Sequence, residues 1–227
     1  CDARKGTDGV DDLLRQTSQY TDFTIFVSNW MKSYHESLGW LSPSRGVFYN
    51  GVNTENFYPR EKIGNQKINI VTHHWSNNYL KGFDVYDWLD KWVEKNTDFT
   101  FTYIGRENGN FKNTKVVEPL FGKSLGDELG KYDVYVSASR YDPGPNHVLE
   151  SLASGIPTYV HVDGGGSVEF AGVDHSYKTL EDLEKILLSK RFEQNSMMPK
   201  DWKQCMPDLI NQIELKVGYE KNKNLSF

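Results

Sequence analysis

Short apolar runs alternate with amphipathic segments along most of the chain, and this alternation predicts a parallel sheet with helices between its strands. Runs typical of buried strands occur at 23–28, 47–50, 67–72, 99–105, 114–118, 132–139 and 157–162. Helical spacing follows several of them; in the segment 83–96, Phe83, Tyr86, Leu89 and Val93 recur at the period of a helix. The pattern therefore predicts an α/β fold, a Rossmann-like parallel sheet with helices on both faces. Ligands are expected at the carboxyl ends of its strands.

Polar and proline-containing segments indicate where these elements stop. Residues 53–66, with Pro59 and Gly64, form the best candidate for a domain boundary. Before it, Ser28 is placed to cap a helix that runs to about Leu38. After the last strand, helices are predicted at 179–191 and from Pro199 to about residue 217. A break is expected at Pro207, because proline removes a helical hydrogen bond.

Composition narrows the class of protein. The 227 residues carry a net charge of −5, which argues against a general nucleic-acid binder. Only Cys1 and Cys205 are present, so a disulfide scaffold and a cysteine-rich metal site are excluded. One disulfide between them remains open, and a reducing compartment is the simpler interpretation. The chain begins CDARKGTDG, without an initiator methionine, so we expect a fragment that lacks its N-terminal part.

The most informative stretch runs from Ser139 to Pro157. A predicted strand ends there at a polar loop, and Gly144 shortly precedes the expected start of a helix at Asn146. The free amides and dipole of such a helix start favour an anion such as phosphate. Asp142 and Glu150 stand eight apart, one before the helix and one inside it. The residues alone fit equally well an ordinary strand–helix–strand unit with a capping Asp and a surface Glu.

This stretch resembles the C-terminal domain of GT-B glycosyltransferases, in particular the large retaining family 4, which uses nucleotide sugars. That family has a carboxylate, seven residues, and then Glu-Ala-x-Ala-x-Gly-x-Pro; here Asp142 is followed after seven residues by ESLASGIP. Five further segments match in the family's order: 27–32, 49–59, Lys81-Gly82, 133–137, and 164–166 with Glu169. The first acid is usually Glu, and the usual Phe-Gly-Leu is here Gly144-Pro145-Asn146.

The resemblance implies roles for the matching residues. Lys81 would neutralise the donor diphosphate and Asp142 would lie against the transferred sugar, so these two are the implied catalytic residues. Glu150 would bind the ribose hydroxyls, and Val117 would lie near the base. Gly144, Asn146 and His147 would complete the donor site at the helix start, where Pro145 has no N–H to offer.

The family's second phosphate ligand is missing from this sequence. An Arg usually precedes the Lys by a few residues, and the corresponding stretch here, 73–78, contains none. His73, Ser76 and Arg106 are the candidate substitutes. No Asp-x-Asp sequence is present to hold Mg²⁺ or Mn²⁺, so we expect neither a metal nor another cofactor. A lysine and a helix N-terminus would stabilise the leaving phosphate instead.

Two motifs have plainer interpretations beside the functional ones. His73 and His74 could ligate a metal, but adjacent side chains at a strand end point to opposite faces, so loop hydrogen bonding is favoured. The three glycines at 164–166 are more often a plain turn than a loop that approaches a substrate.

From the resemblance we predict three segments. Residues 1–55 would be a remnant of an N-terminal Rossmann-like domain with its connection, 56–195 the nucleotide-sugar-binding domain, and 196–227 helices that pack back towards the N-terminal part. The predicted activity is metal-independent transfer of a hexosyl group, with retention, to a glycan, lipid or polysaccharide, although the fragment alone should be inactive. The expected location is cytoplasmic, with or without a peripheral membrane contact through the missing domain.

Two alternatives stay open. One is a different GT-B enzyme, such as a nucleotide-sugar epimerase or a phosphorylase. The other is a non-enzymatic α/β domain that binds a partner protein through exposed aromatic residues. Binding of a nucleotide would separate the second from the first.

Overall fold

The computed structural model describes residues 9–62 and 66–217. Cys1, Gly64 and the outer ends of the predicted segments 1–55 and 196–227 lie outside this part of the chain. Residue contacts divide the chain into two compact units. One contains the described residues up to Gly51 together with those from Trp202 onward, and the other runs from Val52 to Asp201.

The larger unit is built on a six-stranded parallel sheet. Its strands are β3 (Ile68–His74), β4 (Phe99–Gly105), β5 (Lys115–Val117), β6 (Val134–Ser137), β7 (Thr158–His161) and β8 (Ser176–Tyr177). Their order across the sheet is β5-β4-β3-β6-β7-β8, and every pairing is parallel. The chain moves outward from β3 to β5 and then returns to the other side of β3. The crevice between β3 and β6 is therefore the topological switch point, where ligands of such sheets bind.

Helices cover both faces of this sheet because successive strand residues point to opposite sides. The helices of the unit are α3 (Phe83–Lys95), α4 (Gly122–Leu129), α5 (Asn146–Ala153), α6 (Gly166–Ala171) and α7 (Leu180–Leu188). Ile70 lies in one buried cluster with side chains of α3 and α7, whereas its neighbour Val71 lies in a second cluster with Leu125 and Leu129 of α4. The predicted Rossmann-like α/β fold with helices on both faces is confirmed.

The smaller unit contains two parallel strands, β1 (Phe23–Phe26) and β2 (Ser44–Val47), with helices α1 (Val10–Thr17), α2 (Asn29–Ser37) and α8 (Trp202–Val217). The Ser28 cap is confirmed: its hydroxyl accepts a hydrogen bond from the Met31 amide at 3.0 Å. The side-chain amide of Gln212 donates to the carbonyl of Val47 at 3.3 Å, which ties α8 to β2.

Two sequence predictions about elements were wrong. The strand expected at 47–50 lies at Ser44–Val47, because its partner β1 is four residues long and ends opposite Val47. The break expected at Pro207 does not occur, and α8 continues through that residue. Proline removes one backbone donor, and the rest of the hydrogen-bond ladder carries the helix past it. Among the described helices, none is long and apolar enough to cross a lipid bilayer.

Candidate functional site

Two loops meet at the carboxyl ends of β3 and β6. The first leaves β3, passes through a short 3-10 turn at Tyr79–Lys81 and enters α3. The second leaves β6 and leads to α5. The Arg140 amide in the second loop donates to the carbonyl of Leu80 in the first at 2.8 Å. The Arg140 guanidinium also donates hydrogen bonds to both carboxylate oxygens of Asp84, at 2.8 and 2.7 Å. The first turn of α3 is thereby fixed against the loop that leads to α5.

Gly82 lets the first loop pass this closely to β6. Its φ is +94°, and a Cβ there would lie 2.2 Å from the Cβ of Ala138 and 2.4 Å from that residue's carbonyl oxygen. Only glycine fits both the left-handed backbone and the contact. The Lys-Gly pair noted in the sequence therefore has a structural reason, because the glycine brings the lysine beside the loop after β6.

Lys81 and Asp142 form an ion pair at this meeting point. The lysine Nζ lies 2.6 Å from Asp142 Oδ2, and the carboxylate is almost fully buried. The backbone of Asp142 is held by the glycine loop, since the Gly166 amide donates to its carbonyl at 2.8 Å and its own amide donates to Gly164 at 3.3 Å. Residues 164–166 are thus more than a plain turn: they support Asp142 and begin α6.

Glu150 is held from the strand side by His73. Its Oε2 lies 2.8 Å from His73 Nε2, and the His73 ring is buried at the end of β3. Burial leaves His73 Nδ1 without a hydrogen-bond partner. The structure therefore places His73, a candidate phosphate ligand, against the acid expected to bind ribose.

His74 and His147 are buried beside this pair. His147 Nε2 lies 2.9 Å from the Ser137 hydroxyl, and its Nδ1 is 4.0 Å from Asp142 Oδ2. His74 Nε2 lies 2.7 Å from the Tyr86 hydroxyl on α3, so His73 and His74 do engage different helices. Among the described residues, no group of three His, Cys, Asp or Glu side chains could hold a metal ion.

Both buried imidazoles are neutral. Burial, followed by the charge of Lys81 and the neighbouring His73, holds the pKa of His147 well below its usual value. Burial acts first on His74 as well, and His147, Lys81 and His73 add to it, so its pKa is also strongly lowered. Lys81 is therefore a cation beside these two imidazoles, and His74 and His147 act as neutral hydrogen-bonding groups.

The remaining predicted residues occupy the helix start and the neighbouring strand ends. Gly144 and Asn146 flank Pro145, which is the N-cap of α5. The Pro145 carbonyl accepts hydrogen bonds from the Val148 and Leu149 amides. Ser76 accepts a hydrogen bond from the Asn78 amide at 3.2 Å. Val117 ends β5, and Arg106 directly follows β4 and is exposed. The structure thus brings together five of the predicted residues: His73, Lys81, Asp142, His147 and Glu150. Arg106 follows the strand next to β3, and Val117 ends the strand beyond that one.

Several contributors were not anticipated from the sequence. The Tyr86 hydroxyl joins His74 to the end of β6, because it accepts from the Ala138 amide at 3.0 Å. Trp75 and Phe121 form an exposed aromatic pair at the same edge of the sheet. Helical spacing predicted Tyr86 as a core residue and gave no sign that its hydroxyl forms hydrogen bonds. Trp75 could have been suspected from its position directly after a buried strand.

Neither protein-family models nor curated protein sequences match this chain. Solved structures do match. Anabaena Alr3699/HepE, in complex with UDP and glucose, has a TM-score of 0.71 at 11% identity over 92% of this chain and 67% of its own. The pneumococcal O-GlcNAc transferase GtfA, in complex with UDP and GlcNAc, has a TM-score of 0.70 at 12% identity over 91% of this chain and 47% of its own. Sucrose-phosphate synthase from Thermosynechococcus elongatus has a TM-score of 0.68 at 14% identity, over 92% and 64%.

These neighbours are glycosyltransferases of the GT-B fold. The chain has the GT-B type of fold. At such low identity the likeness establishes the fold alone. The chain spans about half to two thirds of the length of these solved structures, with 47% for GtfA, 64% for the synthase and 67% for HepE.

Proposed function

We propose that the crevice between β3 and β6 binds a nucleoside diphosphate sugar and that the protein is a glycosyltransferase. The observation that carries the proposal is the ion pair of Lys81 and Asp142 beside the start of α5, at the switch point of the sheet. The fold supports it, because the solved neighbours include glycosyltransferases in complex with UDP and a sugar.

Lys81 supplies what the leaving group needs. Transfer breaks the bond between the sugar and the diphosphate, so negative charge grows on the phosphate oxygen. An ammonium that is already in position stabilises this charge without reorganisation in the transition state. The Lys81 ammonium has three N–H donors, of which one binds Asp142 Oδ2 at 2.6 Å, so the others can reach a phosphate. The His147 backbone amide in the first turn of α5 adds a donor and the favourable end of the helix dipole.

Glu150 is arranged to accept hydrogen bonds from ribose. His73 engages one of its oxygens, and the carboxylate can accept further bonds on the other. A carboxylate that is held in one orientation loses less entropy when the ligand binds. Asp142, held by Lys81 and the glycine loop, faces the same crevice and is placed for a hydroxyl of the transferred sugar.

Finer features of the function follow from the family resemblance. We propose transfer of a hexosyl group with retention, to a glycan, lipid or polysaccharide, and no metal, because Lys81 and α5 provide the positive field. We also propose a cytoplasmic location, where nucleotide sugars are available, and a further N-terminal domain that carries the acceptor and any peripheral membrane contact.

Ligand titrations test this function. We expect UDP, GDP or ADP to bind and to raise the melting temperature of the chain, since a ligand that binds only the native state stabilises it. Glu150→Gln should weaken binding of that nucleotide about tenfold or more, because charged hydrogen bonds are worth about 1.5–3 kcal/mol. Asp142→Asn should leave the bare nucleotide nearly unchanged and weaken the corresponding nucleotide sugar.

A matched control is Glu94→Gln, an exposed acid on α3, which should change neither ligand. Absence of binding by all three nucleotides to the unaltered chain would rule out the donor site and favour a non-enzymatic interaction domain. Equal losses for the two site variants with both ligands would refute the division of roles between ribose and sugar.

A further inference from the structure

An exposed cluster of Trp75, Arg106 and Phe121, here called the aromatic platform, lies beside the proposed site. Trp75 directly follows β3, Arg106 directly follows β4, and Phe121 is the N-cap of α4. The rings of Trp75 and Phe121 meet edge to face with centroids 4.9 Å apart, and the Arg106 guanidinium carbon lies 4.0 Å from the centroid of the Trp75 ring. Three elements thus contribute to one surface.

The platform is not part of the hydrophobic core. Trp75 is 55% exposed and Phe121 is 60% exposed. Within the described part of the chain, no carboxylate pairs with the Arg106 guanidinium. Contiguous exposed apolar patches mark ligand or partner sites on soluble proteins, and the guanidinium over the Trp75 ring adds a cation–π contact to this one. Such a surface attracts a planar group that can stack on it.

The position of the platform identifies which planar group would reach it. Glu150, the acid proposed to bind ribose, is hydrogen-bonded to the His73 side chain, and Trp75 is two residues further along the chain than His73. The Cα atoms of His73 and Trp75 are therefore at most about 7 Å apart. In a nucleotide the base is bonded directly to the ribose. A ribose on Glu150 would thus carry its base into the neighbourhood of Trp75.

We propose that the aromatic platform is the stacking site for the base of the donor nucleotide. This inference rests on the proposed function and adds the residues that hold the base. Aromatic rings and a guanidinium plane supply stacking surface, and their π faces accept any base. Lys81 and α5 would then bind the diphosphate independently of the platform.

The test separates the base from the diphosphate. The tightest of UDP, GDP and ADP is titrated by calorimetry against Trp75→Ala, Trp75→Phe and the unaltered chain, with inorganic pyrophosphate as the probe that lacks a base. We expect Trp75→Ala to weaken nucleotide binding about tenfold or more and to leave pyrophosphate binding unchanged. Trp75→Phe should restore part of the loss, because it keeps a ring. Trp202→Ala, an exposed tryptophan of the other unit, should have no effect.

The outcomes distinguish this inference from the proposed function. Absence of nucleotide binding by the unaltered chain would overturn both. Nucleotide binding that is unchanged in Trp75→Ala would overturn the platform alone. An equal loss of nucleotide and pyrophosphate would also overturn it, since the residue would then support the phosphate region. Because Trp75 is exposed, the variants are expected to fold, which circular dichroism checks.

Discussion

At the scale of single residues, the site contains two buried imidazoles, His74 and His147, that stay neutral beside the Lys81 ammonium. His74 and His147 have rings 4.6 Å apart, and both lie close to Lys81. A second positive charge in this buried place would be costly. The folded state therefore holds these two side chains deprotonated at a pH where the unfolded chain begins to protonate them.

This difference predicts a dependence of stability on pH. The pKa of His74 and of His147 lies below the usual 6.5 in the folded state. Between the folded and unfolded pKa values the unfolded chain binds more protons, so the free energy of unfolding falls as pH drops below about 6.5. Urea unfolding at pH 7.5, 6.5 and 5.5 measures this. His147→Gln should flatten the dependence between pH 6.5 and 5.5.

Other titratable groups also respond to pH, so the informative quantity is the change in slope between the variant and the unaltered chain. The pKa values of His35 and His161 are lowered as well, first by burial, and these residues remain in the variant. A slope that is identical in His147→Gln and the unaltered chain would show that His147 does not carry the effect.

The sequence allowed the acids and the lysine to be proposed but not their partners. Asp142, Glu150 and Lys81 stand at spacings that can be compared with a family pattern. His73 and Glu150 are 77 positions apart, and their contact depends on the register between β3 and the start of α5. No local periodicity reports such a register, so the sequence offers His73 as one of three candidate phosphate ligands and gives no sign of its contact with Glu150.

At the scale of elements, long periodic segments were predicted well, and two short elements, α6 and β8, were missed. The strand at 99–105 and the helix from Phe83 agree with β4 and α3, because many residues contribute to each pattern. Helix α6 has six residues and starts among glycines, and β8 has two residues. Tertiary contacts form such short elements, so their sequences carry too few positions for a recognisable period.

The junction between β3 and α3 gives an element-scale prediction. Gly82→Ala should lower the free energy of unfolding by about 2 kcal/mol or more, because it adds left-handed strain and a contact with the backbone of Ala138. It should also weaken nucleoside diphosphate binding, since Lys81 precedes the displaced residue. Denaturant unfolding and calorimetry measure the two effects.

Gly9 is a control for the backbone term of this substitution. Its backbone is also left-handed, with φ +82° and ψ −2° against +94° and +34° for Gly82, and a Cβ there would meet nothing within 4 Å. Gly9→Ala should therefore show the cost of left-handed strain alone, with nucleotide binding intact. If both substitutions cost the same, the close contact with β6 contributes nothing.

At the scale of the whole molecule, every residue proposed to bind the donor belongs to the unit from Val52 to Asp201. The two ends of this unit are joined to each other. The Val52 amide donates to the carbonyl of Lys200 at 3.0 Å, and the Thr54 amide and hydroxyl donate to Asp201 at 3.1 and 2.7 Å. Val52 is also buried in the cluster that contains Phe57 and Leu125.

We therefore expect residues 52–201, produced alone, to fold cooperatively and to bind the same nucleoside diphosphate as the full chain. Calorimetry of this segment and of its Lys81→Ala variant measures the affinity, which the substitution should reduce strongly. A segment that is folded by circular dichroism but does not bind the nucleotide would mean that residues outside it complete the site.

The segment 56–195, which has the domain bounds predicted from the sequence, is the control for the segment 52–201. It lacks Val52, Thr54 and Asp201, and so it loses a buried valine together with the contacts that join the two ends. Burial of one such side chain contributes about 1.5–3 kcal/mol, a large part of the stability of a small domain. We expect 56–195 to unfold at clearly lower urea concentration than 52–201 while the folded fraction keeps its nucleotide affinity. Equal midpoints for the two segments would mean that the joined ends do not stabilise the unit.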